Sequence, residues 1–152
     1  MQQHDDLVIM GQDIAEYGGF FKITDGFVEG FGKDYIRNTP ICESAIVAAA
    51  YGLSINRIKS VVEMQFADFV NSGFNPIVNL LAKSYYRWNQ PADVVIRMPC
   101  GGGIGAGPFH SQTNEAWFTK VSGLKVVCPA FPYDAKGFQL TSNFKYRYSL
   151  FY

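Results

Sequence analysis

Four β-prone runs, each separated from the next by a stretch with helical character, constrain the fold of this chain most strongly. The runs are nearly continuous in apolar residues, which is typical of strands buried on both faces of a sheet. Connections long enough to hold a helix allow consecutive strands to run parallel. We therefore predict a three-layer α/β/α fold with a mainly parallel sheet, whose strands are Leu7–Gly11, Lys59–Phe66, Asp93–Met98 and Leu124–Cys128.

The segments between these runs predict the helices. Pro40 lies near the start of a buried helix over Ile41–Leu53, where a proline is well tolerated. Apolar residues recur at helical spacing over Asp68–Arg87. Shorter helices are predicted within Phe20–Gly32, over Asn114–Lys120 and from Tyr133 onward. From Phe138 the helical pattern is lost, and the chain ends in aromatic residues.

Composition narrows the class of protein. The 152 residues suit one domain with a real core, and 13 basic residues balance 13 acidic ones. Because no net positive field exists to attract nucleic acid or an anionic membrane, neither is an expected partner. Aromatic residues make up 16% of the chain, which favours a large buried interface.

The cysteines and the N-terminus indicate the compartment. Cys42, Cys100 and Cys128 are odd in number, far apart and flanked by apolar residues, so we expect buried thiols in a reducing environment. The N-terminal residues lack the basic and then apolar pattern of a signal peptide, and no apolar run is long enough to span a membrane. The expected localisation is the cytoplasm.

Two ionisable residues are candidates for chemistry. Glu43 is the only charged residue between Asn38 and Arg57, and it either serves a site or complements the helix dipole from the first helical turn. His110 follows a glycine-rich loop, Gly101–Gly107, and is either a site residue or a loop histidine bonded to its neighbours. No histidine or acid lies at metal-ligand spacing from His110, so no metal site is predicted.

Seven short motifs in one order give a more specific signal. Together they resemble the beta chain of the thiamine-diphosphate-dependent 2-oxo acid dehydrogenases, over its transketolase-like pyrimidine-binding domain. The resemblance covers roughly residues 7–137. The motifs are GGFFK from Gly18, TPICE from Thr39, VEMQFAD from Val62, RMP from Arg97 with its glycines, HSQ from His110, GLKVV from Gly123 and YDAKG from Tyr133.

The resemblance implies roles for four residues. Glu43 matches the glutamate that hydrogen-bonds a ring nitrogen of the cofactor's aminopyrimidine and promotes the tautomer needed for catalysis. Phe69 matches the aromatic residue that packs on the pyrimidine, and Gln65 lies in the same pocket. His110 matches the histidine that assists proton transfer or reductive acylation of the lipoyl group. The organic chemistry belongs to the cofactor, thiamine diphosphate.

The resemblance also implies partners. In the family an alpha chain holds the diphosphate and its Mg²⁺, and nothing in this sequence supplies that motif. A beta–beta contact within a heterotetramer and a lipoyl-bearing acyltransferase component are the other expected partners. The pyrimidine-binding domain is predicted over residues 1–137, without the family's leading helix. Residues 138–152 are predicted to be a divergent tail that matches neither the family's potassium-binding segment nor its C-terminal domain.

The predicted function is therefore the pyrimidine-binding part of the decarboxylating component of a 2-oxo acid dehydrogenase complex, inactive without an alpha partner. The EMQFAD motif from Glu63 resembles the branched-chain type. Alternatives are a fragment of a pyruvate dehydrogenase beta chain, the ketol transfer of transketolase or deoxyxylulose phosphate synthase, and a non-catalytic interaction module.

Overall fold

The centre of the molecule is a parallel β-sheet. The computed structural model describes residues 1–2, 4–145 and 148–151, and the side chains of residues 1–2 and 4–142. Within these residues six strands pair in the order β2-β1-β3-β4-β6-β5, and every pair is parallel. The strands are β1 Leu7–Gly11, β2 Ile36–Asn38, β3 Lys59–Glu63, β4 Val94–Arg97, β5 Val126–Val127 and β6 Tyr148–Phe151.

Helices connect the strands. The α-helices of the described chain are α1 Phe27–Phe31, α2 Glu43–Ile55, α3 Ala82–Trp88, α4 Glu115–Thr119 and α5 Pro132–Lys145. Between β3 and α3 lie a 3₁₀ helix, Ala67–Gly73, and a π-helix, Pro76–Leu81. A second 3₁₀ helix, Gly102–Ile104, lies in the glycine-rich loop.

Two hydrophobic clusters lie on opposite faces of the sheet. Successive side chains of a strand point to opposite faces, and β1 shows this: Val8 and Met10 join one cluster, Leu7 and Ile9 the other. The first cluster includes residues of α2, the π-helix and α4, and the second packs partly buried residues of α1. The three-layer α/β/α prediction is confirmed.

The long helical stretch predicted over Asp68–Arg87 is divided into three helices of different pitch. Pro76 is the first residue of the π-helix. Proline has no N–H to donate and its ring clashes with the preceding turn, so a continuous α-helical ladder cannot pass through it. The change of pitch keeps Ile77, Val78 and Leu81 in the core.

The sequence did not reveal β2 or β6, and it misjudged α5. β2 has three residues, too few to show a periodic pattern. The prediction that helical structure is lost from Phe138 was wrong, because α5 continues to Lys145. Its apolar residues Phe138 and Leu140 are about half exposed, so no apolar stripe marks the helix. The domain boundary at Gly137 stays a prediction, and Tyr146, Arg147 and Tyr152 of the predicted tail lie outside the described residues.

The cysteines are free, as expected, but their predicted burial was wrong. Cys42, Cys100 and Cys128 are all exposed, because each lies in a connection and not within a strand or a helix. Partial loss of hydration raises the pKa of the Cys100 and Cys128 thiols, and the Glu115 carboxylate raises both further.

No helix of the described chain is long and apolar enough to cross a membrane.

A buried ion pair joins β3 to β4 where both strands end. Glu63 and Arg97 are register partners. Arg97 Nε donates a hydrogen bond to Glu63 Oε2 at 2.7 Å, and Arg97 Nη2 donates to the same oxygen. The Arg97 side chain is 15% exposed and that of Glu63 6%, so each charge depends on the other to replace lost water.

Removing one member of this pair should be costly. We expect Glu63→Ala to lower the free energy of unfolding by about 3–5 kcal/mol, because it leaves the Arg97 guanidinium buried without a counter-ion. Urea denaturation followed by circular dichroism at pH 7 measures the loss.

Asp6→Ala is the control, because it breaks an ion pair of 2.5 Å to Lys59 in which the Asp6 side chain is 42% exposed. The expected loss is below about 1 kcal/mol. The Lys59 hydrogen bond lowers the pKa of Asp6, so the pair's contribution is present at pH 7 and is lost as the pH falls through that lowered pKa. Equal losses in the two variants would contradict the importance of burial.

Candidate functional site

Glu43 lies at the start of α2, beside the carboxyl end of β1. It is the first residue of the helix and is 7% exposed. Gln12, which directly follows β1 and is also 7% exposed, donates from Nε2 to Glu43 Oε1 at 3.0 Å. In the described part of the chain this is the only hydrogen bond to the Glu43 side chain, so Oε2 remains available to a donor from outside.

The position of Glu43 is compatible with both interpretations of its charge. A carboxylate in the first helical turn interacts favourably with the helix dipole, and Glu43 occupies that turn. A carboxylate needed only for the dipole could lie on the solvent face of the helix. Glu43 is instead buried and held by a partner 31 residues away in the sequence, which indicates a fixed orientation.

His110 packs against two aromatic rings. Its imidazole lies edge-on to Phe66 at 4.9 Å and to Phe69 at 5.5 Å between ring centroids. Phe20 and Phe21 also contact Phe66, with ring centroids 5.0 and 5.7 Å from that of Phe66. We call these five side chains the aromatic cluster. Phe20 is 48% exposed, so the cluster reaches the surface.

The 3₁₀ helix Ala67–Gly73 joins the aromatic cluster to α2. A β-carbon at Gly73 would lie 3.5 Å from both the Glu43 carbonyl oxygen and Val47 Cγ2, so the end of this helix packs closely on the first turns of α2. Phe69 lies on the same 3₁₀ helix, four residues earlier. The fold thereby places the elements that carry Glu43, Phe69 and His110 side by side.

Gln65 lies between β3 and Phe66. It is half-buried and makes no side-chain hydrogen bond within the described residues, so its amide can bind a ligand. Gln12 and Phe66 were not singled out as site residues from the sequence. The signal for Gln12 was its place directly after a buried parallel strand, where ligands collect in such sheets.

The loop from β1 to α1 carries Phe20 and Phe21 to the cluster. Gly18 and Gly19 have φ of 78° and 79°, which L side chains rarely adopt. Thr24 Oγ1 closes the loop by donating to the Ile14 carbonyl oxygen at 2.7 Å. The two glycines therefore allow the chain to reverse and lay two aromatic rings on Phe66.

Comparison with known proteins identifies the family. The family model of the transketolase pyrimidine-binding domain matches residues 1–143. The chain belongs to the transketolase pyrimidine-binding domain family. The parallel sheet flanked by helices is the fold of this family.

Curated relatives refine the comparison. The chain is 42% identical over 139 residues to the 2-oxoisovalerate dehydrogenase subunit beta of Pseudomonas aeruginosa, and 40% identical over 141 residues to that of Bacillus subtilis. It is 39% identical over 144 residues to the pyruvate dehydrogenase E1 component subunit beta of Acholeplasma laidlawii. These alignments cover 90%, 90% and 93% of this chain but only 40%, 42% and 44% of the relatives.

The residues present suit a pyrimidine ring that carries an amino group. Glu43 Oε2 is an acceptor without a partner among the described residues, and the Gln65 amide is both a donor and an acceptor. Phe69 supplies a half-buried aromatic face suited to contact with a planar ring. The described side chains include no group of three or more His, Cys, Asp or Glu placed to hold a metal ion.

The glycines of the site differ in what they tolerate. At Gly18 a β-carbon would lie 2.8 Å from Asp25 Cα, and φ is positive, so we expect Gly18→Ala to cost about 1–3 kcal/mol of unfolding free energy. At Gly102 φ is ordinary and nothing lies within 4 Å, so Gly102→Ala should change stability by less than about 0.5 kcal/mol.

Thermal and urea unfolding of both variants measure this difference. A stable Gly18→Ala protein with an unchanged near-ultraviolet spectrum would show that the β1–α1 loop does not need the positive φ.

Proposed function

We propose that this domain binds the aminopyrimidine of thiamine diphosphate and contributes the beta half of the active site of a 2-oxo acid dehydrogenase of the branched-chain type. The observation that carries the proposal is the buried Glu43 carboxylate. It is oriented by Gln12 and lies on an element packed against the 3₁₀ helix of Phe69. Two of the relatives reported above are 2-oxoisovalerate dehydrogenase beta subunits, and the EMQFAD motif supports the same type.

The chain's own residues act on the pyrimidine half of the cofactor. When bound, thiamine diphosphate supplies an acidic thiazolium carbon that becomes the nucleophile toward the 2-oxo group. Glu43 Oε2 would share a proton with a ring nitrogen of the aminopyrimidine and so would raise the basicity of the cofactor's amino group. Gln12 keeps the carboxylate in one orientation, while burial excludes water that would compete for it.

The other site residues position the ring and serve the later step. Phe69 packs on the pyrimidine and Gln65 binds its polar edge. His110 assists proton transfer or the reductive acylation of the lipoyl group. Its place at the end of an open glycine loop leaves it accessible to a substrate carried by another protein.

Partners complete the site in this proposal. An alpha chain holds the diphosphate and Mg²⁺, a second beta chain contacts this one, and a lipoyl-bearing acyltransferase accepts the acyl group. The alternatives are the pyruvate type, which a relative of 39% identity represents, transketolase-type ketol transfer and a non-catalytic interaction module. Exposed aromatic residues such as Tyr86, 94% exposed, and Tyr133, 86% exposed, favour the interaction module as a second candidate.

Native purification of the chain from its own cells tests the partner assignment. We expect mass spectrometry to find an alpha chain in the eluate, and the eluate to decarboxylate a branched-chain 2-oxo acid only when thiamine diphosphate and Mg²⁺ are present. Faster turnover of pyruvate would select the pyruvate type. A homodimer that is inactive and lacks an alpha chain would support the interaction module.

Glu43→Gln in the assembled complex tests the role of the carboxylate. The amide keeps the size and one acceptor but cannot share a proton in the same way, so kcat should fall by about 10²-fold or more while assembly persists. Glu29→Gln, in the first turn of α1, is the matched control, because it removes an exposed helix-dipole partner. If both variants retain full turnover, Glu43 acts only on the helix.

A further inference from the structure

Both ends of the loop between β4 and α4 are fastened to the same two residues, Ala67 and Asp68. At the entry of the loop, Ala67 N donates to the Pro99 carbonyl oxygen at 2.8 Å. At its exit, Asn114 Nδ2 donates to the Ala67 carbonyl oxygen at 3.1 Å, and Gln112 N donates to Asp68 Oδ1 at 3.2 Å. Ala67 and Asp68, the first two residues of the 3₁₀ helix, thus hold both ends of the loop.

These fastening residues are buried, whereas the loop above them is open. Ala67, Asp68 and Asn114 are 0%, 5% and 3% exposed. In contrast, a β-carbon at any of the five loop glycines between residues 101 and 107 would have no neighbour within 4 Å. The loop glycines therefore make few steric contacts, whereas buried and part-buried hydrogen bonds hold the backbone at the exit of the loop.

His110 lies between the open part of the loop and its fastened exit, and its own N–H donates to the Gly107 carbonyl oxygen at 3.2 Å. It precedes Gln112 by two residues, and its ring packs on Phe66 and Phe69. Phe66 and Phe69 directly precede and follow Ala67 and Asp68 in the sequence. The same short segment therefore holds the backbone after His110 and supplies the surface on which the imidazole rests.

Asp68 shows a second feature that packing alone does not require. Its Oδ2 is buried and has no hydrogen-bond partner among the described residues. An unpaired buried carboxylate oxygen is costly, so filling of space alone does not account for an aspartate at this position. The carboxylate strengthens the hydrogen bond that Oδ1 accepts from Gln112 N.

We propose that Asp68 and Asn114 are positioning residues that hold His110 at the site by fastening the exit of the glycine loop to the 3₁₀ helix. This inference rests on the proposed role of His110 in acyl transfer to lipoyl. Asp68 acts on the backbone of Gln112, and Asn114 acts on Ala67.

Chymotrypsin tests the fastening on the full chain without any catalytic assay. Phe109 is 76% exposed and lies beside His110, so cleavage after Phe109 reports on the loop, while cleavage after Tyr86 in α3 is an internal reference. We expect Asp68→Ala to raise cleavage after Phe109, relative to Tyr86, by about tenfold. Amide exchange at Gln112 should accelerate by a similar factor.

Two variants make this result specific. Asp68→Asn keeps a carbonyl acceptor for Gln112 N and should restore most of the protection. Asn71→Ala removes an exposed side chain of the same 3₁₀ helix, which accepts a hydrogen bond from Ser72 Oγ, and it should change neither rate. If Asp68→Ala fails to fold, Asn114→Ala provides the loosened variant.

Kinetics of the assembled complex test the consequence for His110. Asp68→Ala should lower the rate constant for acyl transfer to lipoyl about tenfold and leave KM for the 2-oxo acid within about twofold. In a His110→Ala background the same change should have no further effect on transfer, because Asp68 acts through His110.

The outcomes separate this inference from the proposed function. Unchanged loop cleavage and Gln112 exchange in Asp68→Ala overturn the fastening whatever the activity. A loosened loop with unimpaired transfer, in a complex where His110→Ala is slow, overturns the positioning role. If His110→Ala is itself fully active, the proposed role of His110 fails, and the positioning role fails with it.

Discussion

The strands β1, β3 and β4 all end at the same row of the sheet, and the rest of the structure depends on this constraint. Gly11, Glu63 and Arg97 form one row across β1, β3 and β4. A β-carbon at Gly11 would lie 2.7 Å from the Glu63 carbonyl oxygen, so the row is this tight only because β1 ends in glycine. The Glu63–Arg97 pair then ties β3 to β4. The segments that leave this row carry Gln12, the aromatic cluster and the glycine loop.

Three buried carboxylates lie near this edge, and each is accommodated differently. Glu63 is neutralised by a guanidinium, Glu43 accepts a hydrogen bond from a side-chain amide, and Asp68 accepts one from a backbone N–H. Only the first arrangement cancels the charge. Burying several carboxylates at one edge of the sheet is destabilising unless polar or cationic groups neutralise them. The arrangement therefore fits an edge that binds polar or cationic groups of another molecule.

Much of the fold was predictable because buried parallel strands and α2 produce patterns that need no tertiary information. The strands from Leu7, Lys59 and Asp93 appear close to where their apolar runs predict them. Strand β2 was missed because three residues carry no period. The start of α5 was predicted, but its continuation past Phe138 was not, because half-exposed apolar residues leave no stripe.

The sequence singled out residues on elements that lie close together in the fold, but it did not reveal the hydrogen bonds that connect these elements. Glu43, Gln65, Phe69 and His110 lie on elements that the fold brings together, whereas their chemical roles stay predictions. The Gln12–Glu43 hydrogen bond spans 31 residues, and the contact of Asp68 with Gln112 spans 44. No local pattern encodes such pairings, because they arise only when separate strands come together.

The openness of the glycine loop sets the kind of association that it can support. Fixing a residue's backbone costs about 1–2 kcal/mol, and glycine is at the upper end because it has the most freedom to lose. If a partner immobilised the whole of residues 101–107, the entropy lost by the loop would offset much of the interaction energy. Contacts made through this loop should therefore be weak and short-lived, because the entropy lost on ordering its glycines offsets part of the interaction energy.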